Sequence, residues 1–92
     1  MTSRSVTIRN QLGMHARAAA RFVHTASAFT SRIWVARGET MMDGKSILGI
    51  LLLAAGRGSS LTISADGCDE TAAVDALVAL VDSGFGEFPC NG

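Results

Sequence analysis

Apolar residues along this chain switch repeatedly between two spacings, and the order of the switches restricts the possible folds. Apolar and polar residues alternate, as in half-buried β-strands, in segments 4–9, 32–37, 40–42 and 61–66. Apolar residues lie three and four positions apart, as on one face of an α-helix, in segments 16–27, 45–56 and 70–83. The predicted order is therefore strand, helix, strand, strand, helix, strand, helix.

This order indicates an α+β fold. The chain has 92 residues and is 48% hydrophobic, which suits one modest core. A split β-α-β order predicts a four-stranded, mostly antiparallel sheet with the three helices on one face. The residues assigned to the other, polar face are Ser5, Thr7, Arg9, Thr62 and Ser64, and Trp34 on that face stays unexplained. We expect a single domain over residues 1–87 and a flexible C-terminal tail over 88–92.

Composition excludes several classes of function. Eight basic and eight acidic residues cancel, which argues against a general nucleic-acid binder. The N-terminus lacks a signal-peptide core, and no stretch approaches the roughly 20 apolar residues of a membrane helix, so we expect a cytoplasmic protein. Cys68 and Cys90 are far apart and lack metal-ligand spacing, so reduced thiols are expected, with no metal, cofactor or disulfide.

A histidine at the end of a turn is the first candidate for chemistry. Gly13 suits a tight turn, and the alanines and arginines after His15 favour a helix, which places His15 at the helix N-cap. The backbone N–H groups of Ala16, Arg17 and Ala18 then lack partners inside the helix and lie at the positive end of its dipole. The sequence therefore predicts a site for a phosphate-sized anion beside His15.

The predicted helix after His15 has two different faces. Its core face consists of Ala19, Phe22, Val23 and Ala26. Its second face is small and polar, begins beside His15 and consists of Arg17, Ala20, His24 and Ser27. The surface of another protein could approach this second face closely. For His24 the favoured interpretation is a solvated side chain, and a polar contact with a docked partner is the alternative.

The second predicted helix, in segment 45–56, is unusually apolar. Ser46 is placed to cap its N-terminus, and Gly56 and Gly58 to end it. Burial against the sheet needs only Ile50, Leu53 and Ala54. Ile47, Leu48 and Leu51 then form an exposed apolar cluster of the kind that marks a binding surface. The alternative is a helix that is buried all round.

The third predicted helix begins after Asp69, which we expect to cap it, and ends at Gly84. Its core face consists of Ala73, Val74, Leu77, Leu80 and Val81. Phe85 is expected to pack back onto the body of the domain.

Two separate motifs resemble those of a known family. Segment 13–17 (Gly-Met-His-Ala-Arg), the alanine-rich helix that follows it, and segment 44–49 (Gly-Lys-Ser-Ile-Leu-Gly) are similar to the histidine-containing phosphocarrier family, HPr, of the bacterial phosphotransferase system. The resemblance covers the chain from about Val6 to Glu87. It implies an open-faced β-sandwich and a carrier that takes a phosphoryl group from enzyme I, charged by phosphoenolpyruvate, and passes it to enzyme IIA proteins.

The resemblance also implies roles for individual residues. His15 matches the phosphorylated histidine, Arg17 the arginine that assists it, and Ser46 the serine that HPr kinase/phosphorylase modifies in many members. The positions that match partner-docking residues are Ala20, Ile47, Leu48 and Leu51. Many members have proline where this chain has Ala18, a change that should cost little because it restores an N–H donor near the phosphate. A monomer is expected.

Three functional classes remain after this comparison. The leading one is a phosphocarrier, because neutral imidazole is a nucleophile, and Arg17 and the helix N-terminus suit a phosphoryl group. The second is a regulatory relative of the nitrogen-related branch, which residues 83–87 suggest. The third, a hydrolase with His15 as base, lacks a clustered nucleophile. Gly44-Lys45-Ser46 does not complete a nucleotide-binding loop, since Glu39 stands where a glycine is needed.

Overall fold

The computed structural model describes residues 1–53 and 55–86, and its elements follow the predicted order. The strands are β1 (Thr2–Thr7), β2 (Arg32–Arg37), β3 (Thr40–Asp43) and β4 (Ser60–Asp66). The helices are α1 (Ala16–Ser27), α2 (Ile47–Leu52) and α3 (Glu70–Asp82), and a 3-10 turn covers Gly84–Gly86. The neighbouring strands β2 and β3 pair with each other as an antiparallel hairpin.

The four strands form one sheet in the order β1-β4-β2-β3, and every neighbouring pair is antiparallel. Val6 of β1 lies opposite Leu61 of β4, and Ile63 of β4 lies opposite Val35 of β2. All four side chains are buried, so the inward positions of adjacent strands share the face that the helices cover. The predicted α+β architecture, an open-faced β-sandwich, is confirmed.

The other face of the sheet is polar. The hydroxyl oxygens of Ser3 and Ser64 lie 2.8 Å apart across β1 and β4, which is hydrogen-bond distance. Trp34 of β2 also points to this face, where its register partners are Ser64 and Asp43. Its side chain is half-buried, and it does not belong to the core.

The core lies between the sheet and the three helices. Its largest fully buried side chains include Phe22 of α1, Ile50 of α2, Leu77 of α3 and Phe85. Complete burial of side chains of this size stabilises a fold by about 1.5–3 kcal/mol each. Of the predicted core face of α1, Val23 is only half-buried, and Ala18 is buried in its place.

The first strand lies two residues earlier than predicted. It covers Thr2–Thr7 rather than 4–9, because the chain after Thr7 no longer continues the β4 ladder. The Ile8 amide instead donates to the Ser59 carbonyl at 2.9 Å, and the Gly58 amide donates to the Ile8 carbonyl at 2.9 Å.

The second helix is shorter than predicted and exposes a different leucine. It ends at Leu52, before Gly56 and Gly58, with Leu53 as its C-cap. A guanidinium nitrogen of Arg37 donates to the Leu53 carbonyl at 3.1 Å, which supplies a partner at the helix end. Leu51 is half-buried against the core, whereas the side chain of Leu52 is 61% exposed.

The rest of α2 agrees with the prediction of one buried and one exposed side. Ile50 and Leu53 are buried, and Ile47 and Leu48 are exposed. A helix buried all round is therefore wrong. The predicted burial of Ala54 falls on a residue outside the described ranges.

Asp69 precedes α3 as predicted, but its side chain does not cap the helix. Its carboxylate instead accepts hydrogen bonds from the Thr30 amide at 2.8 Å, the Ser31 amide at 2.9 Å and the Ser31 hydroxyl. These bonds, the Ser31 hydroxyl foremost, lower the pKa of Asp69 to about 2. Asp69 therefore joins the start of α3 to the loop after α1.

The end of α3 follows the prediction. Gly84 has a φ of +71°, the left-handed conformation that commonly terminates helices, and α3 ends at Asp82. Phe85 is fully buried, and its carbonyl accepts a hydrogen bond from the Arg21 guanidinium of α1. Leu80 is only half-buried. The expected tail, Glu87 and Cys90 lie outside the described residues.

Candidate functional site

His15 occupies the N-cap of α1, as predicted. Its backbone is extended, with φ −77° and ψ 177°, and its carbonyl accepts from the Ala19 amide at 2.8 Å, which starts the helix. The imidazole ring is half-exposed and makes no capping hydrogen bond to the helix. Because the first-turn amides of residues 16–18 have no partners within the helix, they are available to an anion bound at this end.

The loop before His15 is fixed by hydrogen bonds on both of its sides. The side-chain amide of buried Asn10 donates to the Gly13 carbonyl at 2.7 Å, and the Gly13 amide donates to the Asn10 carbonyl at 3.1 Å. The Met14 amide donates to the Ala55 carbonyl at 2.8 Å. This network orients the loop before any ligand arrives.

Gly13 is required by both its conformation and its surroundings. Its φ is +66°, and a Cβ atom placed on it would lie 2.6 Å from the Ala55 carbonyl oxygen and 2.8 Å from the Gly56 Cα atom. Only glycine allows the two backbones to approach this closely.

The charges around His15 favour an anion. Arg17 lies in the first turn of α1 and is exposed, and the first turn contains no acidic residue. Arg21 and His24 follow along the same helix, so α1 carries cationic or neutral polar groups without a carboxylate. The guanidinium and the helix dipole both stabilise negative charge at the helix N-terminus.

An apolar surface on α2 lies beside α1, because the two helices pack against each other. It consists of Ile47, Leu48 and Leu52, with side chains 46%, 68% and 61% exposed, and we refer to it as the α2 patch. The Ser46 hydroxyl accepts from the Gly49 amide at 3.1 Å, so the predicted N-cap is present.

The structure brings most of the predicted site residues to the α1 and α2 side of the domain. Ala20 and His24 are exposed on α1, as expected, while Ala18 is fully buried beneath the first turn. Leu51 does not belong to the α2 patch. Sequence analysis missed Leu52, although it lies four residues after Leu48 and therefore on the same helical face.

Other kinds of site have no counterpart in the described ranges 1–53 and 55–86. No group of three or more histidine, cysteine or carboxylate side chains in these ranges could hold a metal ion. Among the same residues, no helix has the length and apolar character needed to span a bilayer.

The site combines a histidine at a helix N-cap, an exposed arginine and an apolar helix. We compared the chain with known proteins to find the family to which it belongs. A family model described as the PTS HPr component phosphorylation site matches residues 2–83. The chain belongs to the HPr family. The HPr match includes both motifs, segments 13–17 and 44–49, and nearly every element of the fold.

Individual HPr relatives agree with this assignment. The chain is 47% identical over 87 residues to the phosphocarrier protein HPr of Cupriavidus necator, with 95% of this chain and 98% of that protein covered. It is 44% identical to the HPr of Neisseria meningitidis over the same shares. It is also 45% identical to the phosphocarrier protein NPr of Shewanella violacea, with 91% and 92% covered.

Solved HPr structures have the same fold. The crystal structure of HPr-C-His from Thermoanaerobacter tengcongensis superposes with a TM-score of 0.91 at 46% identity, covering 95% of this chain and 98% of that chain. The HPr dimer from the same organism superposes with a TM-score of 0.76, covering 95% and 100%.

Proposed function

We propose that this chain is a phosphocarrier of the bacterial phosphoenolpyruvate-dependent phosphotransferase system, and that His15 carries the phosphoryl group. The observation that supports this role is the position of His15, half-exposed at the α1 N-cap, in a chain of the HPr family. Enzyme I is the proposed donor, enzyme IIA proteins are the proposed acceptors, and the cytoplasm is the proposed location.

The transfer needs little beyond a nucleophile and stabilised charge. An imidazole nitrogen of His15 forms the bond to phosphorus while the bond between phosphorus and the donor breaks. In the second step a nucleophile of the acceptor forms its own bond to phosphorus while the bond to the His15 nitrogen breaks, which returns the free imidazole. The amide groups at the start of α1 and the Arg17 guanidinium stabilise the phosphoryl oxygens. Because the site is open and uses few cationic contacts, it does not hold the group too tightly for onward transfer.

The α2 patch is the proposed docking surface for both partners. Ile47, Leu48 and Leu52 offer exposed apolar area beside α1, where Ala20 leaves room for a close approach and His24 offers a polar contact. Leu51, a further predicted docking residue, is half-buried against the core, and its docking role stays a prediction.

Ser46 is the proposed site of regulatory phosphorylation by HPr kinase/phosphorylase. Its hydroxyl caps α2 at 3.1 Å from the Gly49 amide, and the α2 patch begins at the next residue, Ile47. A phosphate there is compatible with the positive end of the helix dipole. It also places nearly two negative charges next to the docking surface, which would weaken binding of an acidic partner.

Phosphorylation with purified components tests the role of His15. Incubation with phosphoenolpyruvate and enzyme I should place acid-labile phosphate on the wild type and on His24→Ala, but not on His15→Ala. The variant His24→Ala is a matched control because it removes the chain's other histidine, which is exposed on the same helix. Absence of phosphate on the wild type, or its presence on His15→Ala, would refute the proposal.

A second assay separates the sugar branch from the nitrogen branch. The NPr of Shewanella violacea is as similar to this chain as the HPr relatives are, so the nitrogen-related alternative merits its own measurement. Rates of transfer from the phosphorylated chain to sugar-specific and to nitrogen-type IIA proteins would identify the branch. A monomer is proposed for the transferring species, and sedimentation of the phosphorylated chain tests it.

A further inference from the structure

A recess between two neighbouring loops contains a second group of cationic side chains. Segments 8–14 and 55–59 run side by side and are joined by backbone hydrogen bonds near both ends, at Ile8 and at Met14. Beside the Ile8 end they form a recess of about 570 Å³. The residues that line it are Ile8, Arg9, Gln11, Arg57 and Gly58.

The charged groups that line this recess are all cationic. Arg9 and Arg57 supply guanidinium groups, Gln11 supplies a side-chain amide, and none of the described residues that line the recess is a carboxylate. The Nε atom of Arg9 lies 3.1 Å from an Asp82 carboxylate oxygen, so this guanidinium, which carries five N–H donors in all, is already paired on one side. Within the described ranges no carboxylate forms an ion pair with Arg57.

We propose that this recess binds a small free oxyanion, inorganic phosphate or a phosphate monoester, at a site separate from His15. Guanidinium groups present paired N–H donors whose spacing matches phosphate oxygens, and the Gln11 amide adds a further donor. The volume has room for the phosphate and for a small organic group. Because both arginines are solvent-exposed, the expected Kd is on the order of millimolar.

Binding there should strengthen the contact between the two loops. An anion held by Arg9 and Gln11 on one loop and by Arg57 on the other bridges them, next to the hydrogen bonds that already join them. The first of these loops leads to His15, so the bound anion would rigidify the support of the phosphoryl site. The inference uses neither His15 nor Arg17 and stands independently of the proposed function.

Nuclear magnetic resonance titration with inorganic phosphate tests the site, with sodium chloride used to keep ionic strength constant. The double variant His15→Ala/Arg17→Ala serves as the host, so that binding at the α1 N-terminus is weakened. Saturable shifts of the Gln11 and Gly58 amide resonances are expected, with a millimolar Kd. Addition of Arg57→Gln should weaken binding at least about five-fold, because one of two guanidinium donors is lost.

A matched control makes the test independent of net charge. Arg32→Gln removes another exposed arginine, at the start of β2 and outside the recess, and should leave the Kd unchanged. Arg57→Lys retains the charge but loses the paired donors, and should bind more weakly than the host. The proposal is overturned if chloride alone causes the same shifts, if phosphate shifts only residues 16–18, or if Arg57→Gln binds as tightly as Arg32→Gln.

Discussion

Asp69 and Gly13 show how single residues position whole segments of this domain. Asp69 accepts hydrogen bonds from two consecutive residues, Thr30 and Ser31, and so fixes the loop between α1 and β2. Gly13 lets the loop before His15 approach the backbone of residues 55–56. Neither role is visible in the local sequence, where Asp69 looks like a helix cap and Gly13 like an ordinary turn residue.

Asp69 makes stability depend on pH in the acid range. Its pKa is about 2 in the folded chain, below the ordinary value of 3.8, so its contribution is complete above about pH 4 and is lost as pH falls toward about 2. The variant Asp69→Asn should be less stable than the wild type at neutral pH. It should also show a smaller loss of stability between these two pH values.

Urea unfolding midpoints measured from neutral pH down to about pH 2 check this prediction. Glu70 has a lowered pKa as well, chiefly because the Thr2 hydroxyl donates to it, so some dependence on pH will remain in the variant. Identical pH slopes for the variant and the wild type would contradict the role assigned to Asp69.

Gly13→Ala should destabilise the fold for two additive reasons. A left-handed conformation costs a non-glycine residue about 1–2 kcal/mol, and the new Cβ atom would also collide with the Ala55 carbonyl. Gly38→Ala is the matched control, since Gly38 has a similar φ of +62° but no atom within 4 Å of an added Cβ. Urea unfolding should give a clearly larger loss of stability for Gly13→Ala, and equal losses would show that the loops separate at little cost.

The stability of the helix α2 depends on its contacts with the rest of the domain. A six-residue helix is too short to be stable alone, so its stability comes from the packing of Ile50 and Leu53, from the Ser46 cap, and from Arg37 at its end. The cap alone is worth about 1 kcal/mol. Since these contacts occupy one side and the two ends, the exposed side can vary without loss of the fold.

Leu48→Asp should therefore slow phosphoryl exchange with partners while the domain stays folded. The side chain is 68% exposed, so a carboxylate there remains hydrated and mainly disrupts apolar docking. Met41→Asp is the matched control, because Met41 is 61% exposed on β3 at the outer face of the sheet. We expect a KM for the partner at least about ten-fold higher in Leu48→Asp, equivalent to about 1.4 kcal/mol.

Steady-state exchange assays with enzyme I, together with thermal unfolding, separate the two possible outcomes. A Leu48→Asp protein that exchanges as fast as Met41→Asp would remove Leu48 from the docking surface. A protein that loses its fold would show that Leu48 stabilises the core.

At the scale of the whole molecule, charge is balanced in total but divided between two helices. α1 carries Arg17 and Arg21 and no carboxylate, whereas α3 carries Glu70, Asp75 and Asp82 and no basic residue. The three α3 carboxylates are paired with the N-terminal amine, Arg4 and Arg9, so their charge is largely offset, whereas the α1 side of the domain, which includes His15 and Arg17, stays basic.

This division predicts salt-dependent association with a donor that presents an acidic surface. The association rate should fall several-fold between roughly 0.05 M and roughly 0.5 M sodium chloride, because the Debye length shortens to a few ångströms. Arg17→Gln should reduce this salt dependence, and Glu39→Gln, at the turn between β2 and β3, should leave it unchanged. Stopped-flow measurement of association provides the test, and a rate independent of salt would exclude electrostatic steering.

The sequence predicted the fold well where local patterns coincide with tertiary contacts. Alternation identified the strands, and the Ser46 and His15 caps were predictable because capping depends on neighbouring residues. Long-range contacts explain the errors. Asp69 accepts hydrogen bonds from a loop nearly forty residues earlier in the chain. The helix α2 ends before the predicted glycines, where Arg37 of β2 donates to the Leu53 carbonyl. The expected exposure of Leu51 was also wrong in part, since Leu51 is half-buried against the core, whereas Leu52 is exposed.

The position of Trp34 gives the domain a single optical reporter. The chain has one tryptophan and no tyrosine, so its near-ultraviolet emission comes almost entirely from one indole. That indole lies on the sheet face turned away from α1 and α2, with Ser64 and Asp43 as neighbours in register. Its fluorescence will therefore follow the integrity of the central strands and will be insensitive to partners bound on the helical side, so unfolding and binding can be recorded separately in one sample.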